Sequence, residues 1–343
     1  MLNSSKDFRS SSPRWAASPL SRVPVPDLLD QLARAGPRGI EESPGSRAQV
    51  ELCRQWGFQI QEKDNRFFLP FDSDSLVPVW IEQETPGIVW DRLRVEGFLA
   101  IGSTNEEGLA RARGGDPGAL LIYAETQTAG RGRKGRRWES PPGGGLYFTL
   151  VLKPAPDLNR WPLLTFVAGA ALAQALIELG ESEGFPARFA VDLKWPNDVL
   201  LGGKKAAGVL LETACSARGP AVVLGVGINV RPGCVPEELR LRASSVSDEA
   251  GALVARRKLL VRFLYFFQMG YNLFENGRHA DILENWKRHS SMWDGVPVWI
   301  VEAEKSIPAV TCGLSDAGAL RVRTVEGIVE TILAGDVRLR RSR

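Results

Sequence analysis

Apolar residues in the last third of the chain recur at intervals of three and four: Leu260, Phe263, Leu264, Phe267, Tyr271 and Phe274. That period marks one face of an α-helix and predicts a core helix over residues 253–274. The longest apolar stretch, 163–179, is interrupted by Thr165, Gln174 and Glu178. It falls short of the ~20 apolar residues of a membrane span and reads as a second buried helix. A third helix is predicted near 105–113. Apolar runs at 119–124, 146–152, 187–193, 209–211 and 221–226 are too short for helices and predict strands. From about Val79 these elements form one α+β domain of about 200 residues, large enough to bury a sizeable core.

The pattern changes at both ends. Near the start, Asp27 is placed to cap a short helix carrying Leu28, Leu29, Leu32 and Ala33, which Gly36-Pro37 ends. A second helix runs from about Ser46, with Val50, Cys53 and Trp56 on one face, and stops at Gly57. Short strands at 58–61 and 66–69 around the polar turn Lys63-Asp64-Asn65 predict a hairpin. Helix, helix, hairpin is the outline of a winged helix-turn-helix, but a DNA-reading version needs a further helix for the major groove. Residues 36–46, short and rich in Gly, Pro and Ser, do not supply it. From Asp294 onward, runs at 296–301, 309–313, 320–323, 328–332 and 337–339 are separated by turn signals. Five short strands in some 50 residues predict a small SH3-like barrel. Residues 1–22 hold seven serines, four basic residues and one acid. That composition suits an organelle transit peptide or a disordered tail, and the tail is the reading adopted.

Composition narrows the function classes. The 43 basic and 40 acidic residues give a net charge of +3, too balanced for a bulk nucleic-acid coat or a polybasic membrane binder. The imbalance is local: five of the seven residues from Arg131 to Arg137 are basic, with glycines at 130, 132 and 135. Cys53, Cys215, Cys234 and Cys312 are far apart, with no metal-ligand spacing, and His279 and His289 are the only histidines. A reducing, cytoplasmic location fits, and no metal site is assigned to protein side chains.

Four segments carry candidate chemistry. In 127–138, alternating glycine and arginine cannot make a stable helix or strand. Glycines let backbone N–H groups approach an anion, while arginine forks bind phosphate or carboxylate. Trp138 adds an aromatic face. Flanked by apolar strands, this loop reads as a cover for a phosphorylated ligand. In 192–198, Asp-Leu-Lys-Trp-Pro-Asn-Asp precedes the turn Gly202-Gly203, which folds Lys205 back toward Lys194; two lysines in an apolar hairpin need an anionic partner. Taken alone, a snorkelling surface pair explains them better. Gly225-Val-Gly-Ile-Asn229 ends an apolar strand without the spacing of a dinucleotide fingerprint, so its glycines mark close approach of a ligand. Gly102-Ser-Thr-Asn105 stands before a helix, where Ser or Thr is most often a cap.

Together and in order, these segments resemble the biotin protein ligases, which attach biotin to the carrier domain of biotin-dependent carboxylases. The similarity runs from about Gly102 to the end and covers the first third only in outline. It implies a central mixed-sheet catalytic domain over 79–292, a degenerate winged-helix-like unit over 23–78 and the barrel over 293–343. Biotin would be held by Ser103, Thr104, Asn105 and Gln127, by Gly130, Arg131, Gly132 and Arg133 of the loop, and by Lys205 with Gly225 and Gly227. Arg133, Arg136, Trp138, Lys194, Asn197, Asp198 and Asn229 would bind the nucleotide. Residues 231–248 would order over the adenine. The resemblance implies ATP with Mg²⁺, biotinyl-5′-AMP as intermediate, and the carboxyl carrier domain of acetyl-CoA carboxylase or a related carboxylase as partner. Lys194, Lys205 and Arg133 would neutralise the approach of two anions, with no enzyme nucleophile. A homodimer stays open. A DNA-binding repressor that also ligates biotin, and a lipoate ligase, are the competing readings.

Overall fold

The computed structural model describes residues 22–71, 74–85, 93–116, 118–155, 157–302, 305–333 and 336–339. The expected tail therefore lies outside the described residues, except Arg22.

Strands β6 (Leu120–Gln127) and β7 (Gly145–Leu152) are buried along almost their whole length, as strands covered on both faces must be. They lie inside an eight-stranded mixed sheet of order β1-β5-β6-β7-β11-β10-β9-β8. The other strands are β1 (Arg22–Pro24), β5 (Arg94–Ile101), β8 (Val191–Lys194), β9 (Asp198–Leu201), β10 (Lys204–Ser216) and β11 (Gly219–Asn229). Only β5 and β6 pair in parallel, joined by α4 (Thr104–Arg113); the other neighbours are antiparallel. Alternation sorts the side chains. Leu121 and Tyr123 join the large core under α5 (Leu163–Glu183) and α7 (Arg256–Glu275), whereas Leu120, Ile122 and Ala124 join a second core under α4. Helix α5, the apolar stretch of the sequence, is mostly buried in that large core.

The first unit comprises α1 (Asp27–Ala35), β2 (Ile40–Glu41), α2 (Pro44–Gln55), β3 (Gln61–Lys63) and β4 (Arg66–Phe68), its strands ordered β2-β4-β3. Residues 36–41 hold a 3-10 turn and β2, with no further α-helix. Asp27 is the first helical residue of α1 and not its cap, and α2 starts two residues early because Ser43 and Ser46 cap reciprocally. Leu28, Leu32, Val50, Cys53 and Phe67 form a separate core shared with Val79 and Trp80 of α3 (Pro78–Glu84) and Leu99 of β5. Burial pushes the Cys53 thiol up to about 12 and that of Cys234 up to about 11, so both behave as core residues.

After α8 (His279–Lys287) come β12 (Asp294–Glu302), β13 (Lys305–Leu314), β14 (Leu320–Thr324), β15 (Val329–Ile332) and β16 (Asp336–Leu339), an antiparallel sheet of order β15-β14-β13-β12-β16. Its Val298, Ile300, Leu320 and Val322 belong to the large core. The turn before β14 seats on the main domain: Gly318, at φ 80°, faces the Phe166 ring, and its carbonyl accepts from Trp195 Nε1 at 2.9 Å.

Further boundaries differ from the sequence reading: the first hairpin strand, expected over 58–61, is β3 at Gln61–Lys63, with the turn at Asp64 and Asn65, both at left-handed φ. The strand expected over 187–193 begins only at Val191, and the helix expected from 253 begins at Arg256, leaving Leu253 exposed.

Candidate functional site

The glycine–arginine segment between β6 and β7 folds back on itself. Trp138 N donates to Gly130 O at 2.9 Å, Gly132 N donates to Arg136 O at 2.7 Å, and Arg131 bridges Arg137. A Cβ on Gly130 would stand 2.3 Å from Trp138 O, so only glycine closes the base of this loop. At the tip Lys134 takes φ 56°, the left-handed conformation.

Beneath the loop lies a buried polar floor. The Thr104 backbone N–H and hydroxyl donate to Gln127 Oε1 at 2.9 and 3.2 Å, and Gln127 Nε2 donates to Ser140 Oγ at 3.0 Å. Asn105 accepts from the Thr149 hydroxyl at 2.7 Å and donates to Glu212 Oε2 at 3.0 Å and Leu210 O at 3.3 Å. The other oxygen of Glu212 takes Arg131 at 2.8 Å, so one carboxylate ties the loop to the floor. Ser103 stands at the N-cap position of α4 but makes no cap bond. Its buried hydroxyl has no partner, which suits a donor or acceptor waiting for a ligand.

The lysines arrive from the β8–β9–β10 meander. Lys194 ends β8; Gly202 and Gly203 take left-handed φ and turn β9 into β10, which begins with Lys204 and Lys205. Lys205 Nζ is 2.7 Å from Asp198 Oδ1 and 5.2 Å from the Trp138 ring centroid. Its anionic partner is thus Asp198, and Lys194 has no carboxylate within 4 Å among the described residues. Asn197 donates to Val209 O at 2.6 Å and accepts from Arg133 Nη1 at 3.2 Å, a second tie between loop and sheet.

These parts surround a cavity of about 1040 Å³, at the upper end of small-ligand sites. Ser103, Thr104, Asn105, Gln127, Arg131, Gly132, Arg133, Arg136, Trp138, Lys194, Asn197, Asp198, Lys205, Gly225 and Gly227 all line it. Two expected residues do not. Gly130 closes the loop base, and Asn229 donates to Ser244 O at 3.2 Å, holding the segment that follows β11. The space above the two strand glycines is filled by protein: a Cβ on Gly225 would lie 1.9 Å from Asn105 Oδ1, and one on Gly227 2.5 Å from the Trp138 indole. Thr149 and Glu212 escaped the sequence reading because they act on Asn105 and Arg131 and belong to no motif. Leu239, Leu241 and Arg242 also line the cavity.

Eight lining side chains are cationic (Arg131, Arg133, Lys134, Arg136, Arg137, Lys194, Lys205, Arg242) and one, Asp198, is anionic. Such a wall suits a ligand with several negative charges. Among the described residues no three His, Cys, Asp or Glu side chains come together to hold a metal. Asp198 is the one lining carboxylate, so a divalent cation here would be held by Asp198 together with oxygens of the ligand itself.

Residues 115–229 match the Biotin/lipoate A/B protein ligase family. Over 323 residues the chain is 29% identical to the bifunctional ligase/repressor BirA of Bacillus subtilis, covering 93% of this chain and 94% of that one. It is 35% identical to the biotin–[acetyl-CoA-carboxylase] ligase of Paracoccus denitrificans, over 66% of this chain and 92% of the relative. The biotin protein ligase from Aquifex aeolicus in complex with biotin and ATP superposes with a TM-score of 0.59 at 30% identity, over 72% of this chain and 99% of that one. With the arginine-glycine loop, the paired lysines and the polar floor set around one cavity, these likenesses place the chain in the biotin protein ligase family.

Proposed function

We propose that this chain activates biotin with ATP as biotinyl-5′-AMP and transfers the biotinyl group to a lysine of a carboxyl carrier domain. The observation that carries the proposal is the cavity wall, eight cations against one carboxylate above a hydrogen-bonding floor of uncharged side chains backed by Glu212. A carboxylate and a triphosphate repel, and their approach needs such a field more than it needs an enzyme nucleophile. Lys205 would meet the biotin carboxylate, Lys194 the α-phosphate, and the Ser103–Thr104–Asn105–Gln127 floor the uncharged ring. Arg131 and Arg133 would hold the loop over the adenylate. In the first step the carboxylate oxygen bonds to the α-phosphorus and pyrophosphate leaves. In the second the carrier amine attacks the carbonyl carbon, loses a proton and releases AMP.

Finer readings belong to the same proposal: an SH3-like barrel for 293–343, a cytoplasmic enzyme, a homodimer left open, and no DNA or membrane partner. The experiment is to incubate the protein with ATP, Mg²⁺ and labelled biotin, with and without a carrier domain. Pyrophosphate in both arms and label on the carrier in one are expected; neither product would refute the reading. Lipoate offered in the same assay decides against the lipoate alternative if it is not used.

A further inference from the structure

The segment after β11 covers the cavity with Leu239, Leu241 and Arg242, and one end of it is tied to the sheet. Lys205 N donates to Arg242 O at 2.8 Å and Ser244 N to Lys205 O at 3.0 Å. The other end starts at Arg231, whose backbone N–H donates to Gly144 O at 2.7 Å and whose guanidinium is held by Asp74, a residue of the connection between the first unit and α3. Asp74 has a second task. Helix α7 begins after Ala255, which has no side chain able to cap it. Asp74 Oδ1 accepts instead from the backbone N–H of Arg256 and, at 3.4 Å, from that of Arg257. Its Oδ2 takes Arg256 Nε at 3.2 Å, and Arg256 Nη1 reaches Glu125 Oε2 at 2.6 Å. Glu125 lies on β6 two residues before Gln127 of the cavity floor.

The result is a cluster of two carboxylates and two guanidiniums, with the Arg256 and Glu125 side chains 9% and 3% exposed. Removing the Asp74 carboxylate leaves Arg256 with Glu125 alone and Arg231, 28% exposed, without its carboxylate. Arg231 is the only one of the two cations attached to the cavity-covering segment, so that segment is where the strain can be released.

We propose that Asp74 is a positioning residue for the nucleotide side of the site. It ties residues 231–245 to the first unit, which thereby takes part in ligation whether or not it meets DNA. The inference rests on the ligase reading above for its kinetic consequence, and on geometry alone for its structural one.

The test compares full-length wild type, Asp74→Asn and Arg231→Gln. Trypsin cleavage after Arg240 and Arg242, both exposed, reports the segment without any ligand. Cleavage at these sites is expected to be at least fivefold faster in both variants. In the ligase assay, KM for ATP should rise at least fivefold and biotinyl-AMP should leave at least tenfold faster, with KM for biotin within twofold of wild type. The double variant should behave like the singles, and Asp74→Glu should recover part of the ATP effect. Arg231→Gln keeps the α7 cap, so it decides the matter if Asp74→Asn does not fold. A lowered melting temperature with wild-type cleavage rates and an unchanged ratio of the two KM values would overturn the proposal. Failure of wild type to activate biotin would instead sink the ligase reading, while the cleavage rates would still judge the tether.

Discussion

Gly225→Ala tests the floor of the site with one methyl group. Gly225 lies in β11, paired with Leu210 on one side and Thr149 on the other, so its backbone cannot move without opening two ladders. A Cβ there would stand 1.9 Å from Asn105 Oδ1, 2.7 Å from its Cγ and 3.0 Å from its Nδ2. Asn105, 5% exposed, must therefore swing away. It would give up its bonds with Thr149, Glu212 and Leu210. Each is worth about 1 kcal/mol net, and a buried partner left unsatisfied costs about 1–3 kcal/mol, so the total is about 4–6 kcal/mol. If roughly half of this falls on biotin binding, through Thr104 and Gln127, affinity drops about 10–100-fold at 1.4 kcal/mol per decade. Calorimetric titration with biotin measures that part, and the thermal midpoint measures the rest. Asn105→Ala clears the space the new methyl needs, so Gly225→Ala in that background should add little, a coupling of at least about 1 kcal/mol in the cycle. Biotin affinity within twofold of wild type together with an unchanged midpoint, or strictly additive effects in the cycle, would refute the clash.

Three further outcomes follow from the same geometry. Lys205→Gln leaves Asp198 without its 2.7 Å partner and the substrate carboxylate without a counter-charge; pyrophosphate release at fixed biotin should fall about 100-fold or more, and a loss under fivefold would remove Lys205 from this role. Arg133→Gly cuts the tie to Asn197, so in a quench assay biotinyl-AMP should dissociate about tenfold faster or more while its formation falls less; an unchanged off-rate would exclude Arg133 as a retaining residue. Burial first, and then the neighbouring Arg288, push the His289 imidazole below its ordinary 6.5, so the unfolded chain binds the proton more readily and stability declines as pH falls from about 6.5 toward the lower folded value; His289→Gln should flatten that part of a urea-midpoint profile, and an unaltered slope would assign it elsewhere.

The stripe from Leu260 to Phe274 was legible in the sequence because burial imposes a helical period. The start of the same helix was not, because its cap comes from Asp74, 182 residues earlier. The site divides in the same way. The loop, the lysines and the Ser-Thr-Asn segment could be found because each does its work with adjacent residues. Thr149 and Glu212 could not, since Thr149 is one position in a strand of eight buried residues and Glu212 one charge in a long strand. Gly225 and Gly227 were read as points where a ligand comes close; the groups that stand against them in the structure are Asn105 and Trp138, which in turn face the cavity. Glycine tells that something comes near and not what.

The first unit keeps a familiar outline without all of its parts. Its helices and its strand order β2-β4-β3 match the outline read from the sequence, yet only Glu42 and Ser43 separate β2 from α2, leaving no room there for a further helix. Three of its five arginines are engaged: Arg47 with Glu42 and Glu62, Arg54 with Glu51, Arg66 with Glu41. Residues 23–78 hold nine acidic and six basic residues, a net of −3. Phosphate contacts supply a large share of the affinity of a DNA-binding domain, and a net negative charge disfavours them. What the unit does hold is Asp74 at its edge, one negative charge placed against Arg231 and Arg256. Its electrostatics point inward, to the catalytic domain, and a salt-dependent gel shift should find no specific DNA complex with or without biotin and ATP.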